Sequence, residues 1–312
     1  MTSRRVFCGL AAAAIFPVLL AGALPPPVHY SGVCEASAAA ALDSNRFVVA
    51  SDELELLTLY KRGAAQPLST FAHPDVTDIE GAARIGDTIF WVTSHSVNKE
   101  KEDKPKRKIL FATKVLPTGA LAAAGTDYRN LRADIAALLG VQEKIQQNGK
   151  VTGGLALDLN IEGLAAAPDG SLFVGLRGPL SSGKAQVVRI VKPFGRVGLP
   201  QAAPVGPAQP KVFRLNLEGR GIRSLERVGK GSRAFLIVAG PVGDSGPAPK
   251  LYWWDGRNQP TPGPGLGFGA MKPEALIAVS AGRVQILGDN DDNCAEDEAA
   301  PPRRFPSRDV YF

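Results

Sequence analysis

The stretch Asp78-Ile79-Glu80-Gly81-Ala82 opens an apolar hairpin, and variants of it recur along the chain. Asn160-Ile161-Glu162-Gly163 is a near copy, while Val33-Cys34-Glu35-Ala36 and Lys272-Pro273-Glu274-Ala275 keep the Glu and the small residue after it. Gly221-Ile222-Arg223-Ser224 is a divergent copy that places Arg where the others have Glu. Repetition at intervals of tens of residues marks a repeated supersecondary unit, and short β-patterned units of this kind are propeller blades.

Each phrase leads into two short apolar runs joined by turn residues. The first unit runs Ala36 to Leu42, turns at Asp43-Ser44-Asn45 and returns over Phe47 to Ala50. Ala82 to Ile85 returns as Ile89 to Val92 around Gly86-Asp87, and Leu164 to Ala167 as Leu172 to Val174 around Pro168-Asp169-Gly170. Leu225 to Val228 and Phe235 to Val238 flank Gly229-Lys230-Gly231, and Leu276 to Val279 and Val284 to Leu287 flank Ala281-Gly282. Gly, Asp, Asn and Ser sit where hairpins demand them. Outer strands are fainter, at 56–60, 109–113, 186–190 and 250–254. The expected fold is all-β: a single propeller of five recognisable blades, a sixth left open within 113–151, and a two-layer sandwich as the alternative.

Three stretches interrupt the units. Residues 97–108 form a charged loop of mixed sign, expected to be a solvated excursion. A helical insertion at about 129–148 places Leu131, Ile135, Leu138 and Leu139 at helical spacing, which predicts one surface helix. The Pro- and Gly-rich segment 191–210 reads as an irregular loop.

The 312 residues are 45% hydrophobic, enough for a large core, while 7% aromatic content and 25 prolines fit many turns better than a helical bundle. Residues 1–23 carry Arg4 and Arg5, an apolar stretch from Val6 to Leu20 and the small triplet Ala21-Gly22-Ala23, the three parts of an export signal. The run Ser3-Arg4-Arg5-Val6-Phe7 fits a twin-arginine signal, with the Sec route also open. The expected location is periplasmic or secreted, with 24–312 as the propeller domain. Removing the signal takes two of the six net positive charges, and the rest are interspersed with acids, which argues against a nucleic-acid partner. No later stretch reaches the ~20 apolar residues of a membrane span, and a monomer is expected. With Cys8 in the signal, Cys34 and Cys294 remain near the two ends, a pair expected to form a disulfide that closes the ring.

A hairpin that returns on itself brings the end of its second strand beside the start of its first. Asp52 would then join Glu35, His95 would join Glu80, Arg177 would join Glu162 and Asp289 would join Glu274 on one rim, with Arg223 completing it; His95, Arg177 and Asp289 each stand fifteen residues after their Glu. Converging carboxylates repel unless a cation or proton intervenes. Glu80, Glu162 and Glu274 are therefore the candidate ligands for calcium or another divalent cation. Glu35, Asp52 and Asp289 are candidate ligand-binding groups, and His95, Arg177 and Arg223 candidate catalytic groups able to receive an anionic substrate. The competing reading makes the Glu residues acceptors that lock neighbouring blades together. No G-x-S-x-G, H-E-x-x-H or C-x-x-C motif is present, and Gly243-Asp244-Ser245-Gly246 reads as a turn.

The phrases Asp78 to Ala82, Trp91-Val92-Thr93-Ser94-His95-Ser96 and Asn160 to Leu164 resemble the bacterial domain-of-unknown-function 3616 family, a resemblance running from Ser31 to Asp292. It implies an exported propeller and no established reaction. The Glu80 and Glu162 phrases more distantly resemble phytase-like esterase propellers, which would imply metal-assisted ester or phosphoester hydrolysis. Two function classes follow: an exported hydrolase working at the rim, or a non-catalytic propeller holding a small-molecule, cell-envelope or protein ligand.

Overall fold

The computed structural model describes residues 26–51, 54–145, 150–200, 209–243, 245–289 and 303–312. The stretch 1–23 read as an export signal, and Asp52, Asp244 and Cys294, lie outside the described residues.

The chain enters through β1 (Val28–Ser31) and then builds four consecutive antiparallel sheets. Blade 1 is β2 (Ala38–Ala41), β3 (Arg46–Ala50), β4 (Leu56–Lys61) and β5 (Pro67–Ala72). Blade 2 is β6 (Ile79–Ile85), β7 (Thr88–Thr93), β8 (Leu110–Val115) and β9 (Leu121–Tyr128). After helix α1 (Leu131–Leu139) come the small hairpin of β10 (Glu143–Ile145) with β11 (Val151–Gly154) and the single turn α2 (Leu155–Asp158). Blade 3 is β12 (Asn160–Ala166), β13 (Leu172–Ser181), β14 (Lys184–Ile190) and β15 (Lys211–Leu215), with the turn α3 (Pro193–Arg196) before its last strand. Blade 4 is β16 (Gly221–Arg227), β17 (Phe235–Gly240), β18 (Lys250–Trp254) and β19 (Thr261–Pro262). Blade 5 is β20 (Lys272–Ser280), β21 (Arg283–Asp289) and β22 (Arg304–Tyr311), with β1 as its outermost strand.

The five inner strands β2, β6, β12, β16 and β20 touch in that order and back to β2, so the fold is the expected five-bladed propeller, not a sandwich. The stretch 113–151 holds the outer edge of blade 2, the helix and the small hairpin instead of a sixth blade. Closure is made by β1, which pairs antiparallel with β22 from Val28↔Ser307 to Ser31↔Arg304. The first and last described strands are thereby held in one sheet, and the edge of β22 is covered by β1.

Apolar side chains fill the wedges between blades. Phe90, Val92, Leu164 and Val174 lie between blades 2 and 3, and Phe173, Phe235 and Trp254 between blades 3 and 4. Trp91, Phe111 and Val48 join blades 1 and 2, Tyr30, Phe47 and Phe305 join blades 5 and 1, and Leu236, Trp253 and Ile286 join blades 4 and 5. Middle strands are therefore covered on both faces. Every residue of β7 and β17 is buried, which is why these read as continuous apolar runs without alternation.

The expected inserted helix is present: it packs Leu131 and Ile135 into the wedge between blades 2 and 3 and leaves Ala133 and Ala137 exposed, and Gly140 ends it in the left-handed conformation at φ 68°. The charged loop departs from the expected solvated excursion in being pinned. Asp103 takes both guanidinium nitrogens of buried Arg132 at 2.8 and 3.1 Å and Lys108 Nζ at 2.6 Å, while Lys106 reaches Glu55 at 2.7 Å and Arg107 reaches Asp78 at 3.2 Å. Sequence alone showed the charges but not their partners on other elements.

Candidate functional site

The repeated phrase has a common backbone cause. In blade 2 the ladder passes from Ile79↔Thr93 to Gly81↔Val92, so Glu80 is the extra residue of a bulge. The same skip falls on Glu162 between Ile161↔Leu176 and Gly163↔Gly175, on Arg223 between Ile222↔Ala239 and Ser224↔Val238, and on Glu274 between Pro273↔Gly288 and Ala275↔Leu287. A bulge re-aims one side chain and sharpens the local twist. Here it falls at the same place at the start of four inner strands.

The small residue that follows also has a physical reason. A Cβ on Gly81 would lie 2.8 Å from Leu164 Cβ, and one on Gly163 would lie 2.9 Å from Ile222 Cγ2 of the next inner strand. The inner strands approach too closely there for larger side chains.

The first blade departs from the expectation. Glu35 precedes β2 and forms an isolated bridge with Asp289 at the end of β21. The bulge-equivalent position belongs to Ser37, which lines the central cavity with Glu80 and Glu162 and donates to Ala50 O at 3.4 Å. Asp52 stands as far after Ser37 as His95 does after Glu80, so the sequence phrase in blade 1 is out of register by two residues.

The side chains at the bulges converge. Arg177 Nη1 donates to Glu162 Oε1 at 2.9 Å, and Asn160 Nδ2 donates to the same oxygen at 3.0 Å. Arg223 Nε lies 3.1 Å from Glu162 Oε2 and donates to Glu274 Oε2 at 3.0 Å, while Arg223 Nη2 donates to Glu274 Oε1. Arg177 is further fixed by Pro241 O at 3.2 Å and Gly243 O at 3.1 Å. Glu162 and Glu274 are 4% and 6% exposed, so each carboxylate is buried against a guanidinium. The result is an alternating chain, Arg177–Glu162–Arg223–Glu274, that spans blades 3, 4 and 5 and cancels its own charge.

The space enclosed by the inner strands is about 10 Å³, lined by Ser37, Gly81, Leu164, Ser224 and Ala275 among others. That is room for about one water molecule. Among the described residues no group of three or more His, Cys, Asp or Glu side chains is disposed to hold a metal. Guanidinium groups occupy the positions beside Glu162 and Glu274 that the sequence reading gave to a cation.

His95 is also placed differently from the expectation. It is fully buried, sits at φ 57° and has Nδ1 2.9 Å from Thr93 O. The charges acting on it include those of Arg132, Lys108 and Asp103, the cluster between blade 2 and α1. Burial lowers its pKa to about 4, so it is neutral. Beside it Asp78, also in the left-handed region, accepts from Ser94 Oγ, and Ser94 O receives Ile161 N–H at 2.8 Å from blade 3. These bonds position the start of the second hairpin.

A further ionisable group was missed by sequence reading. Glu226, three residues beyond Arg223 on β16, has its carboxyl pushed up to about 8 by burial, with only Ala278 N–H at 3.4 Å from β20 as counterweight. It lies towards the far end of the inner strand, and nothing in the repeat phrase flags it.

Residues 136–263 match the model of a family described as "Protein of unknown function (DUF3616)", in support of the resemblance over that stretch, which holds the Asn160 to Leu164 phrase but not those at Asp78 and Trp91. The matched stretch runs from within α1 to the end of blade 4 and includes Glu162, Arg177 and Arg223. No curated protein matches the chain. Among solved structures it is similar to a glutaminyl cyclase of Myxococcus xanthus, at 11% identity over 93% of this chain and 97% of that one, with a TM-score of 0.48. It is also similar to the PQQ-bound form of an aldose sugar dehydrogenase from Streptomyces coelicolor, at 12% identity over 92% and 100% of the two chains, with a TM-score of 0.45.

Proposed function

We propose that this chain is an exported, non-catalytic ligand-binding propeller in which the repeated carboxylates act as blade locks. The observation that carries this reading is the pairing of Glu162 and Glu274 with Arg177 and Arg223. Both acids already have their charge compensated by side chains of this chain, and the centre between the inner strands has no room for a substrate. Buried charge pairs of this kind fix which groups meet, even where they add little net stability. Binding then falls to the outer surfaces and the faces of the blades. The export signal at 1–23 supports a periplasmic or secreted setting, where a small-molecule or cell-envelope ligand would be met.

The metal-assisted hydrolase reading draws on a different observation, that Glu80 shares the small central space with Glu162. The double variant Glu80→Gln/Glu162→Gln separates the two. Blade locking predicts a melting temperature lower by roughly 5–10 °C, from the ~3 kcal/mol lost when one partner of a buried pair is removed, and no divalent metal in the purified wild-type protein. Stoichiometric calcium or a transition metal in the wild type, lost in the double variant at unchanged melting temperature, would refute the locking role.

A further inference from the structure

A groove of about 550 Å³ opens between blades 3 and 4 at the end of the molecule opposite the charge ring, where the strand-connecting turns lie. Its walls carry Arg227, Lys230 and Arg257, all exposed. Some exposed cations are matched, Lys114 with Asp87, Arg129 with Asp127 and Lys250 with Glu218, while others, such as Lys61 and Lys184, form no ion pair among the described residues. The three in the groove form no ion pair and no side-chain hydrogen bond among the described residues. The one acid in the wall, Asp255, is turned into its own loop. Its Oδ1 accepts Arg257 N–H at 2.8 Å and Asn258 N–H at 2.7 Å, and its Oδ2 accepts Asn258 Nδ2 at 2.6 Å. These bonds hold the carboxylate well below the usual range, partly offset by burial, and they also fix the loop that carries Arg257.

From this we infer that the groove is a binding site for a phosphate monoester. Three cations against one carboxylate leave a local charge of two, which matches the charge of about −1.5 to −2 on a phosphate monoester near neutral pH. Guanidinium and ammonium donors lining one groove are the groups that hold phosphate oxygens. The volume is larger than a bare phosphate needs and falls within the usual range for small-molecule sites, ~300–1,000 Å³. Pro168 and Ala234 in the wall offer apolar contact to the organic part of the ester. The assignment deepens the ligand-binding reading by naming a ligand class, but it uses no residue of the charge ring and stands or falls on its own test.

The test is calorimetric titration of the whole mature chain with inorganic phosphate, glucose 1-phosphate and glucose at low ionic strength. The sugar phosphate is expected to bind saturably, more tightly than inorganic phosphate, with no saturable heat from glucose. Lys230→Gln/Arg257→Gln should weaken that binding at least ~10-fold, since it removes two of the three charge-assisted contacts. Its melting temperature should match the wild type, because both side chains are exposed. Three results would each overturn the assignment: no saturable binding of glucose 1-phosphate, unchanged affinity in the double variant, or glucose binding as tightly as its phosphate. None of them bears on the Glu80→Gln/Glu162→Gln result, so failure here is distinguishable from failure of the locking role.

Discussion

Arg223 Nε donates to Glu274 Oε2 at 3.0 Å, and this pair ties the inner strand of blade 4 to that of blade 5. Arg223 is the residue that breaks the Glu pattern of the repeat. Were it Glu, three carboxylates would meet with only the Arg177 guanidinium on Glu162 to offset them. The departure from the repeat is thus what gives Glu162 and Glu274 a shared guanidinium partner.

Arg223→Glu is therefore expected to destabilise strongly. Removing one partner of a buried pair costs ~3–5 kcal/mol, and the new repulsion adds to it. A chain of this size should lose roughly 10 °C or more in melting temperature, measured by circular dichroism. Millimolar calcium should recover part of that loss in the variant, because three carboxylates then face one another, and should leave the wild type unmoved. Arg223→Lys, which keeps the charge but loses the fork of donors, should fall between the two.

The Glu226 carboxyl gives the fold a pH dependence of known sign. Its folded pKa of about 8 is above the ordinary 4.5, so the folded state holds the proton more tightly than the unfolded one. Its protonated form favours folding below pH 4.5, and that contribution is lost as pH rises towards 8, at up to ~1.4 kcal/mol per unit. Glu226→Gln should be more stable than the wild type by a few kcal/mol at pH 8.5 and no more stable at pH 4. Urea unfolding at the two pH values checks this; equal stability differences at both would remove Glu226 from the account.

His95 acts in the opposite sense. Its folded pKa of about 4 is below the ordinary 6.5, so stability is fully present above pH 6.5 and is lost as pH falls towards 4. In His95→Asn, stability should fall less between pH 6.5 and 4.5 than in the wild type, whatever its level at pH 7. NMR titration of the wild type supplies an independent reading: a His95 ring titrating near 6.5 would contradict its burial.

How much of this was legible in the sequence follows from what each feature depends on. The hairpins of blades 2 to 5 were readable because turn residues and buried middle strands leave local signatures, as at Gly86-Asp87 and Thr88–Thr93. Four of the five repeat phrases do mark the bulges. The first does not, because Glu35 copies the phrase while Ser37 holds the place, and register is set by packing against neighbouring inner strands rather than by the motif. The closing strand β1 is four residues long, and its partner β22 lies at the other end of the chain, so no local pattern announces it. Arg177 and Arg223 were identified as rim residues from their offsets. That they neutralise Glu162 and Glu274 depends on side-chain distances that spacing does not carry. Asp103 and Arg132 likewise looked like parts of a solvated loop and a helix until the fold brought them to 2.8 Å.

The ends of the chain also bear on the expected bridge between Cys34 and Cys294. Cys34 is buried between β1 and β2. Its neighbour Glu35 forms a bridge with Asp289, and Gly32 N donates to Arg303 O at 2.8 Å. The chain therefore leaves at Asp289 and returns at Arg303 on either side of Cys34, and Cys294 is five residues from the first of these anchors. Five residues reach about 17 Å at full extension, so the tether readily permits the ~5.5–6 Å Cα separation of a disulfide. The oxidising compartment implied by an export signal supplies the chemistry. Non-reducing peptide mapping of the mature protein should recover one peptide pair joined through Cys34 and Cys294. Cys294→Ser should then lower the melting temperature, since the β1 end would lose its covalent tie and keep only its noncovalent contacts with β22 and blade 1, and the loss should vanish when both proteins are measured under reducing conditions. Free thiols at both positions in protein purified from the periplasm, or an equal melting temperature for Cys294→Ser and the oxidised wild type, would leave closure to the strand pairing alone.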